Sequence, residues 1–117
     1  MRKSLLIAVG VLALAATTGA HAQKPDIDGD LRCIALLSVA VGQAAPDKQG
    51  AMIAGAMYFI GRLDGKAPNT DLKAGIKRTI EGFTQEQAAA DGQRCSAILA
   101  EKGQLLQGVG AELQTKK

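Results

Sequence analysis

Asp47-Lys48-Gln49-Gly50-Ala51-Met52-Ile53-Ala54-Gly55-Ala56-Met57-Tyr58-Phe59-Ile60-Gly61-Arg62-Leu63 is the stretch on which the fold turns. Met52, Ile53, Ala56, Met57, Ile60 and Leu63 recur at helical spacing and fill one side, while Ala51, Ala54, Gly55 and Tyr58 occupy much of the rest. A helix with almost no polar face packs on both sides, so this one is expected to be central and most buried, with Ile53 and Ile60 in the core. Gly50, Gly55 and Gly61 would let neighbouring backbones come close, at some cost in helix propensity.

Upstream, Ala45-Pro46-Asp47 divides this helix from a first one running from about Asp30 to Ala45. Its stripe is Ile34, Leu37 and Val41, with Cys33 and Ala44 beside it, and the polar residues Lys24 to Asp30 form a short lead. Downstream, Asp64-Gly65-Lys66-Ala67-Pro68-Asn69 reads as a stop and loop. Asn69 or Thr70 then caps a third helix with Leu72, Ile76, Ile80 and Phe83 on one stripe and Lys73, Lys77 and Glu81 facing solvent. Thr84-Gln85-Glu86-Gln87 is a capping box that opens a final helix to about Leu113. That last stripe holds Cys95, Ile98, Leu99, Leu105, Leu106, Val109 and Leu113, and Gly103, Gly108 and Gly110 weaken its second half. With no repeat or low-complexity block, the expected fold is all-α: a four-helix, bundle-like single domain over residues 23–117.

Residues 1–22 are read as a cleaved signal peptide. Arg2 and Lys3 precede an apolar run from Leu5 to Ala16, and Ala20-His21-Ala22 supplies the small-residue cleavage pattern. The run is shorter than the ~20 residues a membrane span needs, so a stable anchor is not expected after cleavage. Cleavage leaves 95 of the 117 residues and removes the only histidine, His21. Loss of two bases and no acid lowers the net charge from +3 to +1, and the remaining bases are scattered among acids, which excludes a nucleic-acid stripe. Without imidazole, titration between about pH 5 and pH 8 is nearly absent, and structural change waits for carboxylates near pH 4.

A core this small needs help, and the export signal says what kind. Two cysteines in an oxidising compartment pair, so Cys33 and Cys95 are expected to form a disulfide from first helix to last. Two cysteines without histidine fall short of a zinc shell, and no metal or cofactor is implied. Asp26-Ile27-Asp28-Gly29-Asp30 has the alternating carboxylates of a calcium loop, but Leu31 and Leu37 stand where its glycine and bidentate glutamate belong. A solvated helix-start cluster, favoured by the helix dipole, explains those aspartates better.

Two further places carry candidate chemistry. Lys102 falls inside the final apolar stripe as a candidate buried charge; the alternatives are a base or amine nucleophile, or a snorkelling side chain paired with an acid such as Asp91 or Asp64. Tyr58, Phe59, Arg62 and Asp64 gather two of the three aromatics with two charges, and Tyr58 and Arg62, four apart, can stack. They form a candidate interaction surface for a protein partner or a second copy of the chain, or else a structural ring at a loop junction.

Phe83-Thr84-Gln85-Glu86-Gln87 resembles the Leu-Thr-x-x-Gln element of the Spy and CpxP periplasmic chaperones over five residues, with phenylalanine for leucine. Cys33, the Tyr58 to Gly65 segment and Cys95 together loosely resemble HdeA-type small periplasmic acid-stress chaperones, although the tryptophan common in that family is missing and the cysteines stand farther apart. Arg32-Cys33, Tyr58-x-x-Gly61-Arg62-Leu63-Asp64-Gly65 and Arg94-Cys95 are also similar to uncharacterised exported bacterial helical proteins with one disulfide. These resemblances imply a periplasmic helical protein. The expected function is protein binding without catalysis, chaperone-like in stress, or inhibition of one toxic or lytic enzyme as an immunity protein. A carrier or enzyme using Lys102 and carboxylates is the expectation from another class.

Overall fold

Asp26 begins the first helix. Its Oδ1 accepts the amide of Gly29 at 2.8 Å, and α1 runs Ile27–Gln43, three residues earlier than its sequence pattern suggests. The computed structural model describes residues 26–116, so the expected signal peptide at residues 1–22 and His21 lie outside the described residues. α2 follows at once as Pro46–Lys66, with proline at its first position, where a missing amide costs nothing. Gln49 on α2 reaches back to donate its Nε2 to the carbonyls of Val41 at 3.2 Å and Ala44 at 3.4 Å, which satisfies acceptors left open at the end of α1.

α2 continues a turn past Leu63, because Asp64-Gly65-Lys66 stays helical and the chain stops only at Ala67-Pro68. Asp71, one residue later than the expected caps, accepts the amide of Ala74 at 3.0 Å and starts α3, Leu72–Gly82. The expected capping box is present: Thr84 Oγ1 accepts from Gln87 N at 3.1 Å and Gln87 Oε1 accepts from Thr84 N at 3.2 Å. α4 then runs Gln85–Thr115, a helix about 46 Å long at 1.5 Å per residue. The described residues are all-helical and carry one disulfide, Cys33 to Cys95, with Cα atoms 5.6 Å apart.

The centre is α1, and this corrects the expectation for α2. All extensive packing between helices runs through α1, against α2, α3 and α4 in turn. Gly29, Asp30, Leu31, Cys33, Ile34 and Ala35 are consecutive or nearly so, and all are buried, which happens only when a helix is covered on several sides. Small residues at 29, 33 and 35 let neighbours come near enough to do this. α2 buries only Gly55, Ala56, Phe59 and Leu63, and leaves Ile53 47% and Met57 58% exposed. Its buried line is thus rotated from the expected stripe toward the fully enclosed Phe59 ring, and Ile53 is not a core residue.

Two glycines sit at close approaches. A Cβ on Gly55 would come 2.9 Å from Leu99 Cδ1 of α4, and one on Gly75 would come 3.1 Å from Leu31 Cδ2 of α1. Gly50 and Gly61 face open space, against the expectation for them. α2 runs antiparallel to α1, and α4 runs alongside α1 in the same direction, so Cys95 meets Cys33 while Leu99 lies beside Leu37 and Gly55.

Candidate interaction surface

Asp30 lies one turn before Ile34 on the covered side of α1 and is 1% exposed. An ionised carboxylate there needs partners, and α2 supplies two. Lys66 Nζ approaches Oδ2 at 2.7 Å, and Arg62 Nε stands 3.3 Å from Oδ1. The Arg62 guanidinium also lies 5.8 Å from the centre of the Tyr58 ring and 5.9 Å from that of Phe59, and the two rings meet edge to face at 5.2 Å. The stack expected of Tyr58 and Arg62 is present, and its further end is anchored on Asp30.

A second carboxylate repeats the arrangement on α4. Asp91 takes Arg32 Nε at 2.8 Å and Arg94 Nη2 at 3.1 Å. The same Arg94 Nη2 donates to the carbonyl of Gly29 at 2.9 Å and lies 3.4 Å from Cys33 Sγ, so one guanidinium joins α4 to α1 beside the disulfide. Each carboxylate is held by two cations. Among the described residues no buried side-chain nitrogen or oxygen is left without a hydrogen-bond partner. These carboxylates tie helices together, Asp30 joining α1 to α2 and Asp91 joining α4 to α1.

The sequence-derived candidates separate accordingly. Phe59 is fully enclosed and takes no part in a surface, a correction that follows from the rotated burial of α2. Tyr58 and Arg62 are half-buried in the stack, and Asp64 alone of the four is exposed. Lys102 is not a buried charge: its side chain is 44% exposed and lies 3.3 Å from Glu101 Oε1. Asp91 and Asp64, the partners weighed for it, are not its partners. Asp30 does not belong to a solvated cluster, as its sequence context suggests, but is buried; its place one turn from Ile34 and three residues before Cys33 is the signal that it shares the inner stripe.

What the described surface offers instead is exposed apolar helix. On α2, Ile53 and Met57 lie on one outward line that continues through half-buried Ile60 to exposed Asp64, at offsets of four, seven and eleven. On α4, Leu105, Leu106, Val109 and Leu113 are exposed, Leu106 by 71%. Two clefts of about 190 and 180 Å³ accompany them. The first, between α1, α3 and the start of α4, is lined by Asp28, Arg32, Arg78 and Phe83; the second, between α1 and α4, by Leu36, Ala40, Ser96 and Leu99. No helix among the described residues is long and apolar enough to cross a membrane, and no group of three or more His, Cys, Asp or Glu among them could hold a metal ion. No family model, curated protein or solved structure matches the chain.

Proposed function

We propose that this chain is an exported, periplasmic protein that binds another protein without catalysing a reaction, and that it does so through the outward line of α2. The observation that carries this reading is the exposure of Ile53 and Met57 on a helix whose opposite side is already fixed against α1. Apolar side chains grouped on a rigid helix and flanked by a charge such as Asp64 suit a partner helix or segment with its own apolar line. The disulfide and the ion-pair ties support it, because they hold the surface in a defined shape before binding. The resemblance of Cys33, Tyr58 to Gly65 and Cys95 to small periplasmic chaperones is in keeping with the same class.

A carrier or enzyme built on Lys102 draws no support from the geometry. Lys102 stands half-exposed beside Glu101, away from Asp30 and Asp91, which are each occupied by two cations. Within the protein-binding class, a chaperone and an inhibitor differ in stoichiometry. The test compares the disulfide-bonded protein with an Ile53→Asp, Met57→Asp double variant, each immobilised and exposed to envelope extract of the producing cell. One partner retained at unit ratio and lost by the variant supports the inhibitor form; many substoichiometric clients lost by the variant support the chaperone form. Equal retention by both proteins, or none by either, overturns the assignment to α2.

A further inference from the structure

We propose that the cleft between α1, α3 and the start of α4 binds a small zwitterion, a free amino acid with an apolar side chain, by holding its carboxylate on Arg78 and its ammonium on Asp28. Both residues line the same opening of about 190 Å³, Asp28 from α1 and Arg78 from α3. Both are exposed, and among the described residues neither has an opposite charge of another side chain within 4 Å. Arg32 stands one turn along α1 from Asp28, a spacing that suits a pair, yet its Nε is held by Asp91 of α4 at 2.8 Å. One cleft thus presents a carboxylate and a guanidinium that answer to nothing inside the chain.

The neutral groups fall in with this division, because bonds within the chain settle which of them donate and which accept. Gln87 gives its Oε1 to the amide of Thr84 at 3.2 Å, which leaves the Nε2 hydrogens as donors to a carboxylate. Thr79 donates its hydroxyl proton to the carbonyl of Gly75 at 2.8 Å, which leaves the oxygen as an acceptor for an ammonium. Arg32, fixed at Nε, keeps its two Nη groups as further donors. Phe83 adds a ring to the wall, against which an apolar side chain can lie. A simple anion such as phosphate would meet the charge of Asp28 with no compensation, and a simple cation would meet two guanidinia. The cleft is smaller than the roughly 300 Å³ at which pockets for drug-sized molecules begin, so the ligand is of amino-acid size and the expected dissociation constant is about millimolar.

The experiment is a titration of the disulfide-bonded, isotope-labelled protein with L-leucine, N-acetyl-L-leucine, L-leucinamide and inorganic phosphate, followed by amide chemical shifts. Leucine should shift the amides around Asp28, Thr79 and Gln87 and bind about fivefold or more tighter than the other three, each of which lacks one of the two charges. Arg78→Gln should weaken leucine about fivefold and strengthen leucinamide, whereas Asp28→Asn should weaken leucine by a like factor and strengthen N-acetylleucine. These opposite responses distinguish lost contacts from a lost fold. No saturable shift with leucine, equal affinity for any of the other three probes, or leucine binding indifferent to Arg78→Gln or to Asp28→Asn overturns the proposal. The site shares no residue with the outward line of α2, so either reading can fail while the other stands.

Discussion

Asp30 shows how one position sets the character of a small helical core. It is the single charged residue among the described buried ones, and it is tolerated because Lys66 and Arg62 reach it from α2. Asp30→Asn keeps the shape and removes the charge, so both cations lose a partner. Because they are partly exposed and water can take over part of the pairing, the expected loss is about 2 kcal/mol rather than the 3–5 kcal/mol of a fully buried pair. Urea unfolding monitored by circular dichroism reads it, and a change within about 0.5 kcal/mol would show that the tie contributes little. Phe59 and Ile53 give the complementary comparison. Phe59→Ala should cost about 3–5 kcal/mol, and Ile53→Ala less than about 1 kcal/mol, because the first opens a cavity and the second trims a solvated side chain. Similar losses at the two positions would contradict the rotated burial of α2. The Tyr58–Arg62 stack and the Cys33–Cys95 pair were legible in the sequence, since a fixed offset on one helix and a cysteine pair in an exported chain each constrain geometry directly. The burial of Asp30 was not, because what decides it is the arrival of cations thirty-two and thirty-six residues away.

At the level of the helices, the Thr84–Gln87 box located the start of α4, whereas the caps at Asp26 and Asp71 stand away from the starts expected for α1 and α3. The end of α2 was harder to read, because Asp64-Gly65 looks like a stop yet Gly65 sits at a helical position with open space around it. The apolar pattern of α2 misled for a related reason. It counts large aliphatic side chains, whereas the inner face uses Gly55 and Ala56 to bring α1 and Leu99 close and fills the remaining space with Phe59. Substitutions at the three glycines of α2 separate these roles. Gly50→Ala and Gly61→Ala meet no neighbour and should each stabilise by about 0.5–1 kcal/mol through helix propensity. Gly55→Ala should fall short of that gain or reverse it, since Leu99 must move aside. Thermal melts of the three variants check the ordering, and an equal gain at all three would show that the α2–α4 approach is slack.

For the molecule as a whole, the all-helical class and a single staple could be anticipated, but the identity of the hub could not. Each stripe seen alone says that a helix has an inner side and not which neighbours share it, and α1 became central because three partners converge on it. The disulfide joins that hub to α4 across 62 positions, and in the chain-entropy model a loop of this length contributes about 4 kcal/mol. Replacing both cysteines with alanine should therefore lower the urea midpoint more than Asp30→Asn or Ile53→Ala, and by about as much as Phe59→Ala, with α4 losing its protection from hydrogen exchange first. A midpoint unchanged in the cysteine-free protein would mean that Asp91, Arg94 and the apolar contacts hold α4 alone. Because, among the described residues, α4 is gripped chiefly near residues 91–99, it behaves as a lever with Cys95 as its fulcrum and some 30 Å of helix beyond. A tilt of about 10° at the grip displaces the tip by about 5 Å. Gly55, whose missing side chain lets Leu99 settle against α2, thereby sets where the far end of the molecule points.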